Sequence, residues 1–156
     1  MTEPIAVHAT ALLVGEAGVL IRGPSGSGKS GLALRLLDLA AERGRFARLV
    51  SDDRVLLRCC SGLVLASPHE AIVGLLERRT QPIARLPAEP CCVVRLVVEL
   101  HTPANPLPRW TDDAAETTTL AGQAGVPLLR LQGPIDALSC QHVLDRIETL
   151  KSAVRL

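Results

Sequence analysis

The chain has 156 residues, and its 47% apolar and 21% charged composition is that of a folded protein, so we expect one domain over residues 1–156. A formal net charge of +1, with a single tryptophan and a single phenylalanine, argues against the basic, base-stacking surface of a nucleic-acid-binding protein. No apolar stretch approaches the roughly 18 residues of a membrane span, and residues 1–11 lack the basic flank of a signal peptide. We therefore expect a cytoplasmic protein that binds neither nucleic acid nor membrane.

The first elements alternate between strand and helix. Residues 18–23 are typical of a short buried strand that runs into a glycine-rich loop. Apolar residues at helical spacing then predict a helix over residues 29–42, which Gly44 ends. Residues 47–53 predict the next strand, which ends in two acids. The order is therefore strand, loop, helix, strand.

The later elements include several strands that follow one another closely. Residues 69–78 predict a short helix, residues 101–109 must be irregular because they contain three prolines, and a final helix is predicted from about Pro134. Strands are predicted over residues 54–60, 62–67, 91–100 and 126–131. These strands are too close for every connection to be a helical crossover, so the sequence indicates an α/β fold with a mixed sheet.

The segment GPSGSGKS satisfies the phosphate-binding pattern G-x-x-x-x-G-K-[ST]. Its glycines let successive N–H groups and the start of the helix face an anion, Lys29 adds a positive charge, and Ser30 can ligate magnesium. A glycine-rich turn without a ligand is the alternative, but the predicted strand before and helix after are the context that the motif requires. We expect nucleotide phosphates to be bound by Gly23, Pro24, Ser25, Gly26, Ser27, Gly28, Lys29 and Ser30.

Asp52 and Asp53 follow at the end of the next predicted strand, where a P-loop protein needs a carboxylate near the metal and the γ-phosphate. Side chains alternate along a strand, so the two acids should have different roles unless the strand has already ended. One acid could meet the metal through water while the other accepts a proton from the attacking hydroxyl. The alternative is an acidic turn that only ends the strand.

Several motifs together resemble the catalytic domain of HPr kinase/phosphorylase, in the short form without the N-terminal domain of that family. VHAT contains a histidine, His8, where the family has one before the P-loop. RGPSGSGKS and LVSDDR resemble the nucleotide loop and the A-D-D-R stretch, and GLLERR resembles the start of the signature G-L-L-E-x-R-G-x-G. PLPRW is similar to the segment that carries a late catalytic arginine, here Arg109.

The resemblance implies an α/β P-loop domain of the phosphoenolpyruvate-carboxykinase-like type, with a mixed sheet and flanking helices. It also implies Mg²⁺ and ATP as cofactors, phosphorylation of a serine of the phosphocarrier HPr of the phosphotransferase system, phosphorolysis in the reverse direction, and assembly as a homo-oligomer, commonly a hexamer. By the same resemblance Ser30 and Glu77 hold magnesium. The catalytic residues that it implies are His8, Lys29, Asp52, Asp53 and Arg109, with Asp53 as the acid/base group.

The chain departs from the family pattern directly after Arg79. The family has glycine, any residue and glycine there, whereas this chain has Thr80-Gln81-Pro82. Glycines allow positive φ and close approach to a partner, which threonine, glutamine and proline do not replace. This departure puts the phosphorolytic direction and the partner-binding loop in question.

Three functions are compatible with the sequence. The leading interpretation is a Mg-ATP-dependent serine kinase that acts on HPr or a related phosphocarrier. The second is a small-molecule kinase or ATPase built on the same P-loop, and the third is a nucleotide-sensing regulatory domain without catalysis, which the altered signature motivates.

Overall fold

A computed structural model of the chain describes residues 2–78, 81–107 and 116–154. It contains two helices, α1 (Lys29–Glu42) and α2 (Ala137–Val154), and a short 3₁₀ helix, Glu70–Ile72. The strands in chain order are β1 (Ile5–Val7), β2 (Thr10–Val14), β3 (Ala17–Arg22), β4 (Ala47–Ser51), β5 (Val55–Cys60), β6 (Leu63–Pro68), β7 (Leu75–Arg78), β8 (Gln81–Arg85), β9 (Cys92–His101), β10 (Thr117–Leu120) and β11 (Gln123–Gln132).

Nine of the strands in the described part of the chain form one mixed sheet, as the sequence predicts. The order across the sheet is β1-β5-β6-β9-β3-β2-β4; β11 lies beside β9 and pairs with β10. Strand β9 is parallel to both β3 and β11, whereas β2 is antiparallel to both β3 and β4. The carboxyl ends of β3, β9 and β11 therefore lie at one edge of the sheet, which is where ligands bind in open α/β sheets.

Alternation along the central strands divides the apolar side chains between two cores. Val19 of β3 and Leu96 of β9 pack with the apolar stripes of α1 and α2 on one face. Their neighbours Leu20 and Val97 pack into a second core on the opposite face. Because both faces are covered, the central strands are almost continuously apolar, as the sequence pattern indicates. Among the described helices, neither is long and apolar enough to cross a membrane.

The prediction of a helix over residues 69–78 is wrong. The segment contains the 3₁₀ helix Glu70–Ile72 and then β7, which pairs with β8 in a separate two-stranded hairpin. Gly74 separates the two with φ of 74°, and a Cβ at this position would lie 2.9 Å from the carbonyl oxygen of Leu86. The helix ends because the backbone at Gly74 is left-handed and closely packed, and the residues after it gain cross-strand hydrogen bonds instead.

The remaining predicted elements are present, and all except the helix over residues 29–42 have shifted ends. The helix over residues 29–42 is confirmed as α1, and Ser61 and Gly62, with φ of 51° and 77°, form the turn between β5 and β6. Strand β4 ends at Ser51, not at residue 53, so Asp52 and Asp53 belong to the turn that follows. Strands β1, β2, β8 and β10 have no counterpart among the sequence predictions, since they have five residues or fewer and are too short to show a clear apolar alternation.

Candidate functional site

The glycine-rich loop, residues 23–30, connects β3 to α1 at the carboxyl edge of the sheet. Gly26 and Gly28 have positive φ values of 79° and 101°. A Cβ at Gly23 would lie 2.9 Å from the carbonyl oxygen of Leu100, so only glycine allows the loop to pack against the end of β9. Helix α1 begins without a side-chain cap, which leaves the N–H groups of its first turn available to an anion.

Lys29 is nearly buried beneath this loop. Its Nζ donates to the carbonyl oxygens of Gly23 and Pro24, at 3.0 and 3.1 Å. Burial lowers the pKa of the Lys29 ammonium, and the negative charges of Asp53 and Asp52 oppose that shift. The ammonium thus lies inside the loop, where it can pair with phosphate oxygens held by the same backbone.

Asp52 is buried and accepts three hydrogen bonds from three parts of the fold. Its Oδ1 accepts from the hydroxyls of Ser30, at 2.7 Å, and Thr10, at 2.8 Å, and its Oδ2 accepts from the backbone N–H of Glu77, at 3.0 Å. The turn after β4 thus connects to α1, β2 and β7 through one carboxylate. With both oxygens engaged, Asp52 is suited to hold its neighbours in position.

Asp53 has a different environment, although β4 ends at Ser51 and strand alternation therefore does not separate the two acids. Its side chain is 64% exposed, and its Oδ1 lies 2.5 Å from Nε2 of His8. A φ of 66° turns the backbone at Asp53, so its side chain points away from that of Asp52 and towards solvent. His8 lies between β1 and β2 and is 51% exposed, so the pair is open to a second substrate.

One open cleft of about 600 Å³ brings most of the predicted residues together. Glu77, whose side chain is exposed on β7, lies at the rim of this cleft. Arg109 lies outside the described residues, so its predicted position has no structural counterpart here. The predicted residues that line the cleft are His8, Ser25, Gly26, Gly28, Lys29, Ser30, Asp52, Asp53 and Glu77.

The sequence predictions do not include Thr10, Leu34, Leu76 or Gln81, which also line the cleft. Thr10 reaches the site because β2 pairs with β4, which brings its hydroxyl to Asp52, and no local pattern predicts this contact. Gln81 reaches the cleft because β8 folds back along β7, and no local pattern predicts that pairing.

The residues of the cleft fit a nucleotide with magnesium. No cluster of three or more His, Cys, Asp or Glu suitable for a metal ion occurs in the described ranges. Magnesium in nucleotide sites uses one or two protein oxygens together with phosphates and water, and Ser30 and Glu77 offer such oxygens. Within the described residues, Ser27 Oγ in the loop is buried and has no hydrogen-bond partner.

A sequence profile described as the HPr serine kinase C-terminal domain matches residues 1–84, more than half of the chain. The chain belongs to this family. The matched part includes the glycine-rich loop, both acids, His8 and Glu77, and a kinase family implies the use of a nucleotide.

Curated relatives are named HPr kinase/phosphorylase. A protein of Clostridium botulinum (strain Eklund 17B / Type B) is 38% identical over 73 residues, which are 47% of this chain and 22% of the relative. One of Treponema pallidum (strain Nichols) is 42% identical over 77 residues, 48% of this chain and 22% of the relative. A putative HPr kinase/phosphorylase 2 of Oceanobacillus iheyensis is 46% identical over 69 residues, 44% of this chain and 21% of the relative. The matches thus span about a fifth of each relative.

A solved structure agrees with the fold over nearly the whole chain. The HPr(Ser) kinase/phosphatase from Coxiella burnetii superposes with a TM-score of 0.77, covering 97% of this chain and 94% of that one. The sequences are 24% identical, so this similarity establishes the shared fold. It confirms the prediction of an α/β domain with a mixed sheet and flanking helices.

Proposed function

We propose that this chain is a Mg-ATP-dependent serine kinase that acts in the cytoplasm on HPr or a related phosphocarrier of the phosphotransferase system. One observation carries the proposal: a single cleft contains a phosphate-binding loop, an exposed carboxylate paired with a histidine, and further oxygen donors. A nucleotide sensor needs the first of these features but has no need for the second. Membership of the HPr serine kinase family supports a protein serine as the acceptor.

The hydrogen bonds support a division of roles between the two acids. Asp53 is exposed, and His8 is the partner that its Oδ1 contacts, so it can accept a proton from a seryl hydroxyl. His8 orients that carboxylate. Asp52 has both oxygens occupied and is buried, so it positions Ser30 instead. Arg109 is included as a catalytic residue only because the segment PLPRW resembles the family segment that carries a catalytic arginine.

The glycine-rich loop and Lys29 hold the phosphates of ATP, and Ser30 and Glu77 hold magnesium in this proposal. Bound magnesium would neutralise charge on the phosphates during transfer. The protein itself binds the nucleotide with backbone N–H groups, orients it with Lys29, and holds the transferred proton on Asp53 Oδ1 or Oδ2.

The same carboxylate can serve phosphorolysis, because it can return its proton to the serine oxygen when inorganic phosphate attacks. Where the family signature has glycines, this chain has a strand, β8, beginning at Gln81. We therefore propose that the kinase direction predominates.

The proposal also includes a homo-oligomer, a hexamer by family resemblance. Exposed apolar side chains that such an assembly could cover include Val73, Ile83 and Leu138.

The test is incubation of the purified chain with Mg²⁺, labelled ATP and a purified HPr-type protein, followed by identification of the modified residue by mass spectrometry. We expect one phosphoserine on the acceptor. The matched controls are an acceptor with that serine replaced by alanine, which should give no product, and the Asp53→Asn variant, which should form product at less than a tenth of the parental rate. ATP binding without transfer to the acceptor would contradict the proposal. Size-exclusion chromatography with light scattering tests the hexamer.

A further inference from the structure

The structure buries one more hydroxyl against the site. Thr10 of β2 is fully buried, and its Oγ1 donates to Asp52 Oδ1 at 2.8 Å. Ala11 pairs with Ser51 across the β2–β4 ladder, so the antiparallel register places Thr10 opposite Asp52, one residue beyond the end of β4. The register of this ladder shifts between Ala11 and Leu12, next to the pair of Ala11 with Ser51. The strand register thus positions Thr10 beside Asp52, the first residue of the turn after β4.

We propose that Thr10 is a positioning residue that holds Asp52 so that the hydroxyl of Ser30 presents its lone pairs to a divalent cation. This inference rests on one part of the proposed function, namely that the cleft binds a nucleotide together with a divalent cation. The hydroxyl of Ser30 has one proton, which it donates to Asp52 Oδ1 at 2.7 Å. Because that proton is directed at Asp52, the oxygen lone pairs of Ser30 are directed elsewhere and can bind a cation.

Three donors restrict the rotation of the Asp52 carboxylate, and each comes from a different element. Ser30 is itself the residue to be positioned, and the N–H of Glu77 engages the other oxygen. Thr10 is thus the donor to Oδ1 that is fixed independently of the metal site. Its strand lies between β3 and β4 and is almost wholly buried, so removal of the hydroxyl takes one of the two donors from Asp52 Oδ1 without changing the backbone around it.

The experiment measures cation affinity without an acceptor protein. Thr10→Val keeps the shape of the side chain and removes the hydroxyl, and Thr10→Ser keeps the hydroxyl. The matched control is Thr118→Val, which removes a hydroxyl that accepts from Arg22 outside the cleft. For each variant, Mg²⁺ is titrated into protein with ATP while the rise in melting temperature is followed, and Mn²⁺ binding with ADP is measured by electron paramagnetic resonance.

We expect Thr10→Val to raise the half-saturating Mg²⁺ and Mn²⁺ concentrations about tenfold, which corresponds to about 1.4 kcal/mol. ATP binding in the presence of EDTA should be unchanged, and both Thr10→Ser and Thr118→Val should stay within about twofold of the parent. In the kinase assay, excess Mg²⁺ should restore the kcat of Thr10→Val. If Thr10→Val does not fold, Thr10→Cys, which has a weak donor, takes its place with the same expectation.

Unchanged cation affinity in Thr10→Val would overturn the assignment. An equal loss of ATP affinity with EDTA and with Mg²⁺ would do the same, because it would indicate a general structural role. A failure of Thr10→Ser to restore cation affinity would also count against it. These outcomes are independent of whether the phosphocarrier is the acceptor, since no acceptor is present in the binding measurements.

Discussion

Replacing each of the two adjacent acids by asparagine should separate catalysis from structure. Asp53→Asn preserves the left-handed backbone at φ of 66°, which asparagine tolerates better than most residues. It removes the proposed proton acceptor, and general-base groups contribute about 10²- to 10⁴-fold to rate, so kcat should fall by that amount, or about 2.7 to 5.4 kcal/mol in activation free energy. Stability should change by less than about 1 kcal/mol, because the pair with His8 is exposed.

Asp52→Asn should destabilise the fold more than Asp53→Asn does. An asparagine can accept hydrogen bonds on one side only, so its NH₂ group would face either the two hydroxyls or the N–H of Glu77. Leaving a buried donor unsatisfied costs about 1 to 3 kcal/mol, and in a domain of this size that lowers the melting temperature by about 3 to 9 °C. Cation affinity should fall as well, since Ser30 loses its fixed acceptor.

The assay combines thermal unfolding, ATP binding and steady-state phosphorylation of the acceptor for both variants. Asp38→Asn, the same chemical change on the exposed surface of α1, is the control and should match the parent in all three. The reasoning is refuted if Asp53→Asn retains more than a tenth of the parental kcat. It is also refuted if Asp53→Asn destabilises the protein more than Asp52→Asn does.

Three other changes test separate parts of the structure. Lys29→Ala removes the buried ammonium of the glycine-rich loop and should weaken ATP binding at least tenfold by isothermal titration, while an unchanged affinity would show that this lysine does not contact phosphate. Gly74→Ala combines positive φ with a contact of 2.9 Å to the carbonyl oxygen of Leu86, so urea unfolding should report a loss of about 1 to 3 kcal/mol; a loss below about 0.5 kcal/mol would contradict the strain. Burial raises the pKa of the Cys92 thiol to about 12, so this thiol stays protonated at pH 8, and iodoacetamide with peptide mapping should modify the exposed Cys91 at least tenfold faster; equal rates would contradict the burial.

The sequence was informative wherever the structure depends on neighbours in the chain. The glycine-rich loop and α1 lie where predicted, because glycine φ angles and apolar spacing at 3.6 residues act over a few positions. The β5–β6 turn at Ser61 and Gly62 is local in the same sense. Residues 75–78 were misassigned because Leu75 and Leu76 suit a helix or a strand equally, and apolar periodicity does not reveal their antiparallel pairing with β8.

By itself, the sequence determined the phosphate-binding loop, the α/β class and the family, since these depend on short motifs and on the local order of strand and helix. Only the tertiary structure distinguished Asp52 from Asp53. Adjacent in sequence and identical in chemistry, they differ because β2, α1 and β7 each direct a donor at one carboxylate, while a positive φ turns the other towards His8 and solvent. Hydrogen bonds of this kind join residues far apart in the chain, so only folding brings their donors and acceptors together.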